Sequence, residues 1–316
     1  HLDGETTVRV KVTNTGTSAG KEVVQLYVDP PQGKLGKPFR NLAAFAKTKC
    51  LSPGETQELV LTFTDYYISS YDDSGVTGHR SCYVLEQGRY EIFIGTDVRS
   101  ARAAGSFEAA ETLVTSVCTE AAGPVQKFKR MRSGEGGALA WEEVPVRRYK
   151  MQERVQEETL PDITYTGDKG YTLGEVFDRE ISMEEFLAQL SEEDLCCIVR
   201  GEGMCSPKVT PGTAAAFGGV TESLQKFGIP CGCCADGPSG IRMDCGTPAF
   251  SMPNGTCLAC TFDTELSEKL YEMEGAELRK NRIDTLLGPG INIHRNPLNG
   301  RNFEYFSEDP YLTGVM

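Results

Sequence analysis

Residues 229–242 read Ile229-Pro230-Cys231-Gly232-Cys233-Cys234-Ala235-Asp236-Gly237-Pro238-Ser239-Gly240-Ile241-Arg242. A short, mostly apolar run ends on an aspartate, and turn residues follow at once, which is the pattern of a buried strand breaking into a loop. A second strand is expected from Ile283 to Leu287, stopping at Gly288-Pro289-Gly290. Between them Asp263 can cap a helix carrying Leu266, Leu270 and Met273, four and then three residues apart. Strand, helix, strand in that order predicts a parallel sheet with crossover connections.

Upstream, Ser182-Met183-Glu184-Glu185 fits a capping box before Phe186, Leu187 and Leu190. A second helix start, Ser191-Glu192-Glu193-Asp194, leads into Leu195, Ile198 and Val199. The glycines from Gly212 to Gly219 read as a flexible loop. Residues 1–109 have a different rhythm. Val8, Val10 and Val12 alternate with polar residues, as do Leu59, Leu61, Phe63 and later Tyr90, Ile92, Ile94. Val23 to Val28 is a further strand, and Asn14-Thr15-Gly16 and Ser52-Pro53-Gly54-Glu55 are turns. Short alternating strands over such a length predict a two-sheet sandwich. Residues 110–180 read as a linker, with Gly134-Glu135-Gly136-Gly137 flexible and Lys127, Lys129, Arg130 and Arg132 as a solvated charged face. Trp141, the single tryptophan, is expected to pin this segment onto a neighbouring domain.

Composition narrows the function. Of 316 residues, 45 are acidic and 32 basic, a net charge of −13 that argues against a phosphate-backbone binder. No apolar run approaches the ~20 residues of a membrane span. Twelve scattered cysteines read as free thiols, which points to a reducing, cytoplasmic compartment. The chain starts in strand pattern without a methionine and stops abruptly at Met316, so it is expected to be an internal piece of a longer protein.

Two loops can carry chemistry, Asp236 to Arg242 and Arg295 to Glu304. In a parallel barrel, loops at the C-terminal ends of the strands build the site. A carboxylate accepts from neighbouring hydroxyls and a guanidinium donates through a rigid fork, so an aspartate with two arginines suits a sugar. The spacing leaves open that Asp236 only caps a turn and that Arg301 makes an internal ion pair. Cys231 and Cys234 form a CxxC, as do Cys257 and Cys260. Alternate residues of a strand point to opposite faces, which argues against zinc at the first pair. His294 is the one histidine near a candidate loop, no GxSxG nucleophile elbow accompanies it there, and GxxxxGK[ST] and GxGxxG are absent.

These loops, taken with the sandwich, resemble glycoside hydrolase family 3, the β-glucosidase family. Asp236 to Arg242 (DGPSGIR) resembles its sugar-binding loop, and Asn299 to Pro310 (NGRNFEYFSEDP) its second signature. Pro253 to Asp263 (PNGTCLACTFD) fits the stretch between. Val12 to Val28 (VTNTGTSAGKEVVQLYV), with Leu51 to Glu55, resembles its fibronectin type III-like domain. The implied fold is multi-domain, β plus α/β: a fibronectin type III-like sandwich at 1–109, then the first part of a TIM-type (β/α)8 barrel at 181–316. That order resembles circularly permuted members in gut and rumen bacteria.

The resemblance implies that Asp236 holds two hydroxyls of the terminal glucose, that Arg242 orients the loop and that carboxylate, and that Arg301 reaches the same sugar with Glu304 in support. No cofactor or metal is implied. The implied partners are a β-glucoside or oligosaccharide and the remaining barrel and α/β sandwich, in the parent or on a partner chain; homo-oligomers stay open. The family's nucleophile is an Asp usually followed by Trp, and no Asp-Trp occurs here. Its Lys-His pair is missing, and its acid/base Glu belongs to the α/β sandwich, which has no counterpart here. No catalytic residue is therefore assigned, and the chain alone is expected to be inactive. From Ser182 to Met316 it is also shorter than the ~250 residues of a closed barrel. A β-xylosidase or N-acetylglucosaminidase of the same family, and a non-catalytic carbohydrate-binding or assembly protein, are the alternatives.

Overall fold

A computed structural model describes residues 4–120, 122–134, 138–148, 152 and 162–316. The chain divides into two compact units, His1–Glu158 and Thr159–Met316.

The first unit opens with nine strands: β1 (Glu5–Thr13), β2 (Val23–Asp29), β3 (Asn41–Lys47), β4 (Thr56–Thr64), β5 (Ser70–Asp72), β6 (Cys82–Leu85), β7 (Gly88–Gly95), β8 (Arg102–Ala109) and β9 (Leu113–Val117). They form a β1-β4 pair, a four-stranded sheet ordered β3-β2-β7-β8 and a three-stranded sheet ordered β5-β6-β9. Every pairing among them is antiparallel. The alternation of Val8 and Val10 is answered by Leu61 and Leu59 directly across β4. Leu26, Val28, Leu61, Phe63 and Tyr90 meet in the core, with Val8, Val10 and Val12 packed against it. Strand β2, between two neighbours, is buried on both faces. Its polar residue Gln25 is satisfied by donating to Thr96 O at 2.6 Å and accepting from the Tyr27 hydroxyl at 2.5 Å.

Two buried charges organise the loops. Glu86 takes the backbone N–H groups of Lys34 (2.7 Å) and Leu35 (3.2 Å), and pairs with Lys37 at 2.5 Å. Burial pulls the Lys37 ammonium below its ordinary value, against the raising effect of Glu86. Asp72, fully buried, accepts from Ser74 N and Oγ, Gly75 N, and Thr77 N and Oγ1.

The stretch 110–180 holds more pairing than a linker would. Besides β9, it contains β10 (Lys129–Ser133) and β11 (Leu139–Glu143), an antiparallel hairpin. Arg130 makes a forked contact with Asp73 at 2.6 and 3.1 Å and reaches Glu142 at 2.5 Å, while Arg132 also pairs with Glu142. Two of the basic residues expected as a solvated face are thus structural; carboxylates distant in sequence make the difference. Trp141, opposite Met131, is 57% exposed rather than pinned. Glu135, Gly136 and Gly137 of the expected flexible run lie outside the described residues.

The second unit contains α1 (Leu173–Phe177), α2 (Met183–Ala188), α3 (Glu192–Arg200), β12 (Ala215–Gly218), α4 (Glu222–Lys226), β13 (Cys231–Asp236), α5 (Gly255–Thr261), α6 (Thr264–Lys280), β14 (Thr285–Leu287) and α7 (Pro310–Val315). The capping boxes of Ser182 with Glu185 and of Ser191 with Asp194 are formed. Asp263 accepts from Leu266 N at the start of α6. β13 and β14 pair in parallel across the α5–α6 crossover. The sheet is nevertheless mixed, because β12 runs antiparallel to β13. Residues 215–218, expected in a flexible loop, form that strand, since their backbone groups find partners on Cys231 to Cys234. Cys233, Ala235, Ile241 and Ile283 form the core beneath the loops. Helix α6 buries Ser267 and Glu274 and packs Leu278 on this core, whereas Leu266 and Met273 remain exposed. No described helix is long and apolar enough to cross a membrane.

Candidate functional site

Strand β13 carries Asp236 to its C-terminal end, where the carboxylate is 41% exposed. The chain then turns back on itself: Arg242 N donates to Asp236 O at 2.8 Å, and Met252 N to Ser239 O at 3.0 Å. Gly240 sits at φ +99°, and a Cβ there would lie 2.3 Å from Phe250 O, so only glycine closes this turn. Gly237 and Gly288 let the ends of β13 and β14 approach closely; a Cβ on Gly288 would be 2.5 Å from Gly237 O.

The Arg242 guanidinium lies over this turn. Its Nε donates to Asp244 Oδ1 at 2.9 Å, while Nη1 stands 4.0 Å from Asp236 Oδ2. Asp244, and to a lesser degree Asp236, hold it above its ordinary value. Asp236, Arg242 and Asp244 line an open depression of ≈ 150 Å³ with Met204, Gly212, Ala214 and Leu287. Two carboxylate residues and an arginine therefore border one depression, and groups of that kind can take up hydroxyls as acceptors and donors.

The second loop is anchored from below. Tyr305 and Phe306 are buried, Thr256 Oγ1 donates to Tyr305 O at 2.6 Å, and a Cβ on Gly255 would meet the Phe306 ring at 2.6 Å. Glu304 is buried on the same anchor and receives both Nε and Nη2 of Arg301 on one carboxylate oxygen. Arg301 itself is 66% exposed. Glu304 first, and Asp236 as a smaller influence, raise its guanidinium above the ordinary value. The two loops thus share an electrostatic neighbourhood, although Arg301 does not line the depression around Asp236. The ion pair that the spacing left open exists, and the exposed face of Arg301 stays available.

His294 is occupied structurally: its Nε2 lies 3.0 Å from Asn302 O and its backbone N donates to Ser307 O at 3.1 Å. Among the described residues no three His, Cys, Asp or Glu side chains gather as cation ligands. Cys233 contacts Thr213 Oγ1 at 3.5 Å, while Cys257 and Cys260 are exposed. Sequence reading overlooked Asp244 and the 204–214 stretch. An acid two residues beyond Arg242 was the available signal for the first; the second reaches the site only through the β12–β13 pairing.

Comparison with known proteins accounts for both units. Residues 22–98 match the fibronectin type III-like domain family. A β-glucosidase of Ruminococcus albus is 52% identical over 99% of this chain, and β-glucosidase A of Butyrivibrio fibrisolvens is 34% identical over 96%. The crystal structure of a β-glucosidase from Paenibacillus barengoltzii superposes with a TM-score of 0.93 at 54% identity, covering 98% of this chain and 35% of that one. The chain spans about a third of the length of its curated relatives, 33% and 38%. Over almost its whole length, therefore, the chain is similar to about a third of each of these β-glucosidases.

Proposed function

We propose that this chain is an internal part of a circularly permuted β-glucosidase and supplies part of the pocket for the terminal, non-reducing β-D-glucosyl residue. The second unit is read as the opening portion of the (β/α)8 barrel. The parallel β13–β14 pair, joined through α5 and α6, is the repeating unit such a barrel needs. The observation that carries the sugar site is the placing of Asp236 at a strand's C-terminal end, half open to solvent and beside Arg242. Asp236 accepts from two neighbouring hydroxyls, Arg242 orients that carboxylate and its loop, and Arg301, held by Glu304, donates to the same ring.

The reaction of the complete protein is retaining hydrolysis, with two carboxyl groups ~5–5.5 Å apart and a covalent glycosyl intermediate. Both of those carboxyl groups lie outside this chain. The 316 residues alone therefore bind D-glucose weakly and hydrolyse nothing. Titration with D-glucose and turnover of 4-nitrophenyl β-D-glucopyranoside test this directly. Turnover by the pure chain that vanishes in Asp236→Asn would defeat the division of labour, and glucose binding indifferent to Asp236→Asn would defeat the site. An intact mass far above 34.5 kDa from the natural source is expected.

A further inference from the structure

We propose that Asp244 is a positioning residue of the sugar site, whose task is to keep the Arg242 guanidinium from closing onto Asp236; this rests on the reading of Asp236 as the hydroxyl acceptor. Arg242 is 64% exposed, so packing does little to hold its long side chain. Two carboxylates compete for it. Asp244 takes Nε at 2.9 Å, and Asp236 stands 4.0 Å from Nη1, beyond hydrogen-bond reach. In that arrangement Nη1 stops short of a hydrogen bond to Asp236, whose oxygens keep their lone pairs for sugar hydroxyls.

Remove the charge at residue 244 and the nearest anion left to Arg242 is Asp236. An arginine and a carboxylate close into a forked, charge-assisted pair when geometry allows. Such a pair would occupy the acceptors that the sugar needs. Asp244 is well placed to prevent this, because its own backbone is held: Asp244 N donates to Gly212 O at 2.9 Å. Gly212 is at φ +83°, and a Cβ there would lie 2.8 Å from Asp244 N. Asp244 also lines the depression shared with Asp236 and Arg242. Its place is set by the 210–214 stretch, independently of the arginine it restrains.

The test is D-glucose affinity of the 316-residue chain, by calorimetry or ligand-observed NMR, across Asp236→Asn, Asp244→Asn, Asp244→Glu, Arg242→Gln and the Asp244→Asn/Arg242→Gln double variant. Asp244→Asn should weaken binding by roughly three- to fivefold, the range of an exposed ion pair. Asp244→Glu should restore it to within about twofold on the same scale. The double variant should bind like Arg242→Gln alone, because without the guanidinium there is nothing to restrain. The Nε–H signal of Arg242 should shift in Asp244→Asn and return in Asp244→Glu, a response that general loosening would not give. Asp244→Ser replaces the Asn variant if circular dichroism shows that variant to be misfolded. Binding lost in Asp236→Asn but unchanged in Asp244→Asn, or independent effects in the double variant, overturns the inference alone. No glucose binding at all, or binding indifferent to Asp236→Asn, overturns the site reading and the inference together.

Discussion

Replacing Asp72 by asparagine should both weaken the first unit and remove a defined part of its acid sensitivity. Asp72 sits at the end of β5, and its Oδ1 takes Gly75 N at 2.6 Å and Ser74 N and Oγ at 3.1 Å each. Its Oδ2 takes Thr77 N at 2.9 Å and Thr77 Oγ1 at 2.6 Å. Burial alone would push this carboxyl up, yet the donors on Thr77, Gly75 and Ser74 together outweigh it and bring it from 3.8 down to about 2. A depressed acid contributes stability that is fully present above its unfolded value and is lost as pH falls through the folded one. The difference corresponds to ~2 kcal/mol at pH 7, most of it lost between about pH 4 and pH 2. An asparagine amide would turn donors toward the Thr77 N–H and leave that buried donor unpaired, adding roughly 1–3 kcal/mol.

Urea unfolding at a series of pH values, followed through the emission of Trp141, would measure this. That tryptophan reports on the right unit, because its hairpin is tied through Arg130 to Asp73, the neighbour of Asp72. Carboxylates common to both proteins cancel in the comparison. Asp72→Asn should be less stable by about 3 kcal/mol at pH 7, the gap narrowing to about 1 kcal/mol by pH 2. A gap that stays constant with pH, or one below about 0.5 kcal/mol at pH 7, would refute the reasoning, since a five-donor carboxylate cannot be so cheap to lose.

Three further outcomes are expected. Lys37→Met leaves Glu86 charged and buried, so it should cost about 3–5 kcal/mol in urea unfolding; Lys37→Met/Glu86→Gln should recover much of that, and a double variant no better than the single one would contradict it. Glu274, buried on α6 with Oε1 unpartnered among the described residues, is raised above the ordinary carboxyl range by burial and then by Glu277. Its charged form is therefore a cost that grows as pH rises, and Glu274→Met should stabilise by ~1–2 kcal/mol at pH 7 but by much less near pH 4, a reversed or flat trend in thermal melts counting against this. Gly240→Ala, placing a methyl against Phe250 O at φ +99°, should cost ~1–3 kcal/mol and weaken glucose binding; an unchanged melt and an unchanged affinity would show that the turn is slack.

Strands whose partner pattern is local were readable in advance. The alternations at Val8–Val12, Leu59–Phe63 and Tyr90–Ile94 became β1, β4 and β7 because one face of each is buried and the other wet. The helix caps at Ser182, Ser191 and Asp263 were equally legible, since a cap bonds to residues two or three positions away. The hairpin of β10 and β11 was not. Its strands are charged rather than alternating, and what holds Arg130 is Asp73, far back in the chain. The antiparallel course of β12 was equally hidden, because Ala215 to Gly218 has no strand signal apart from the partner that pairs it.

The site divides along the same line. By itself the sequence determined which residues the proposed sugar site is built from, because the motifs around Asp236 and Arg301 put carboxylate and guanidinium groups on turns that Gly and Pro enforce. It also determined the likeness to β-glucosidases, through matches that run almost the length of the chain. The tertiary structure alone decided how those groups divide their labour. Arg301 is committed on one side to the buried Glu304, and Arg242 is shared unequally between Asp244 and Asp236. Such choices turn on differences of about an ångström between competing carboxylates, and separation in space, unlike residue type, is written in the sequence only through the whole fold.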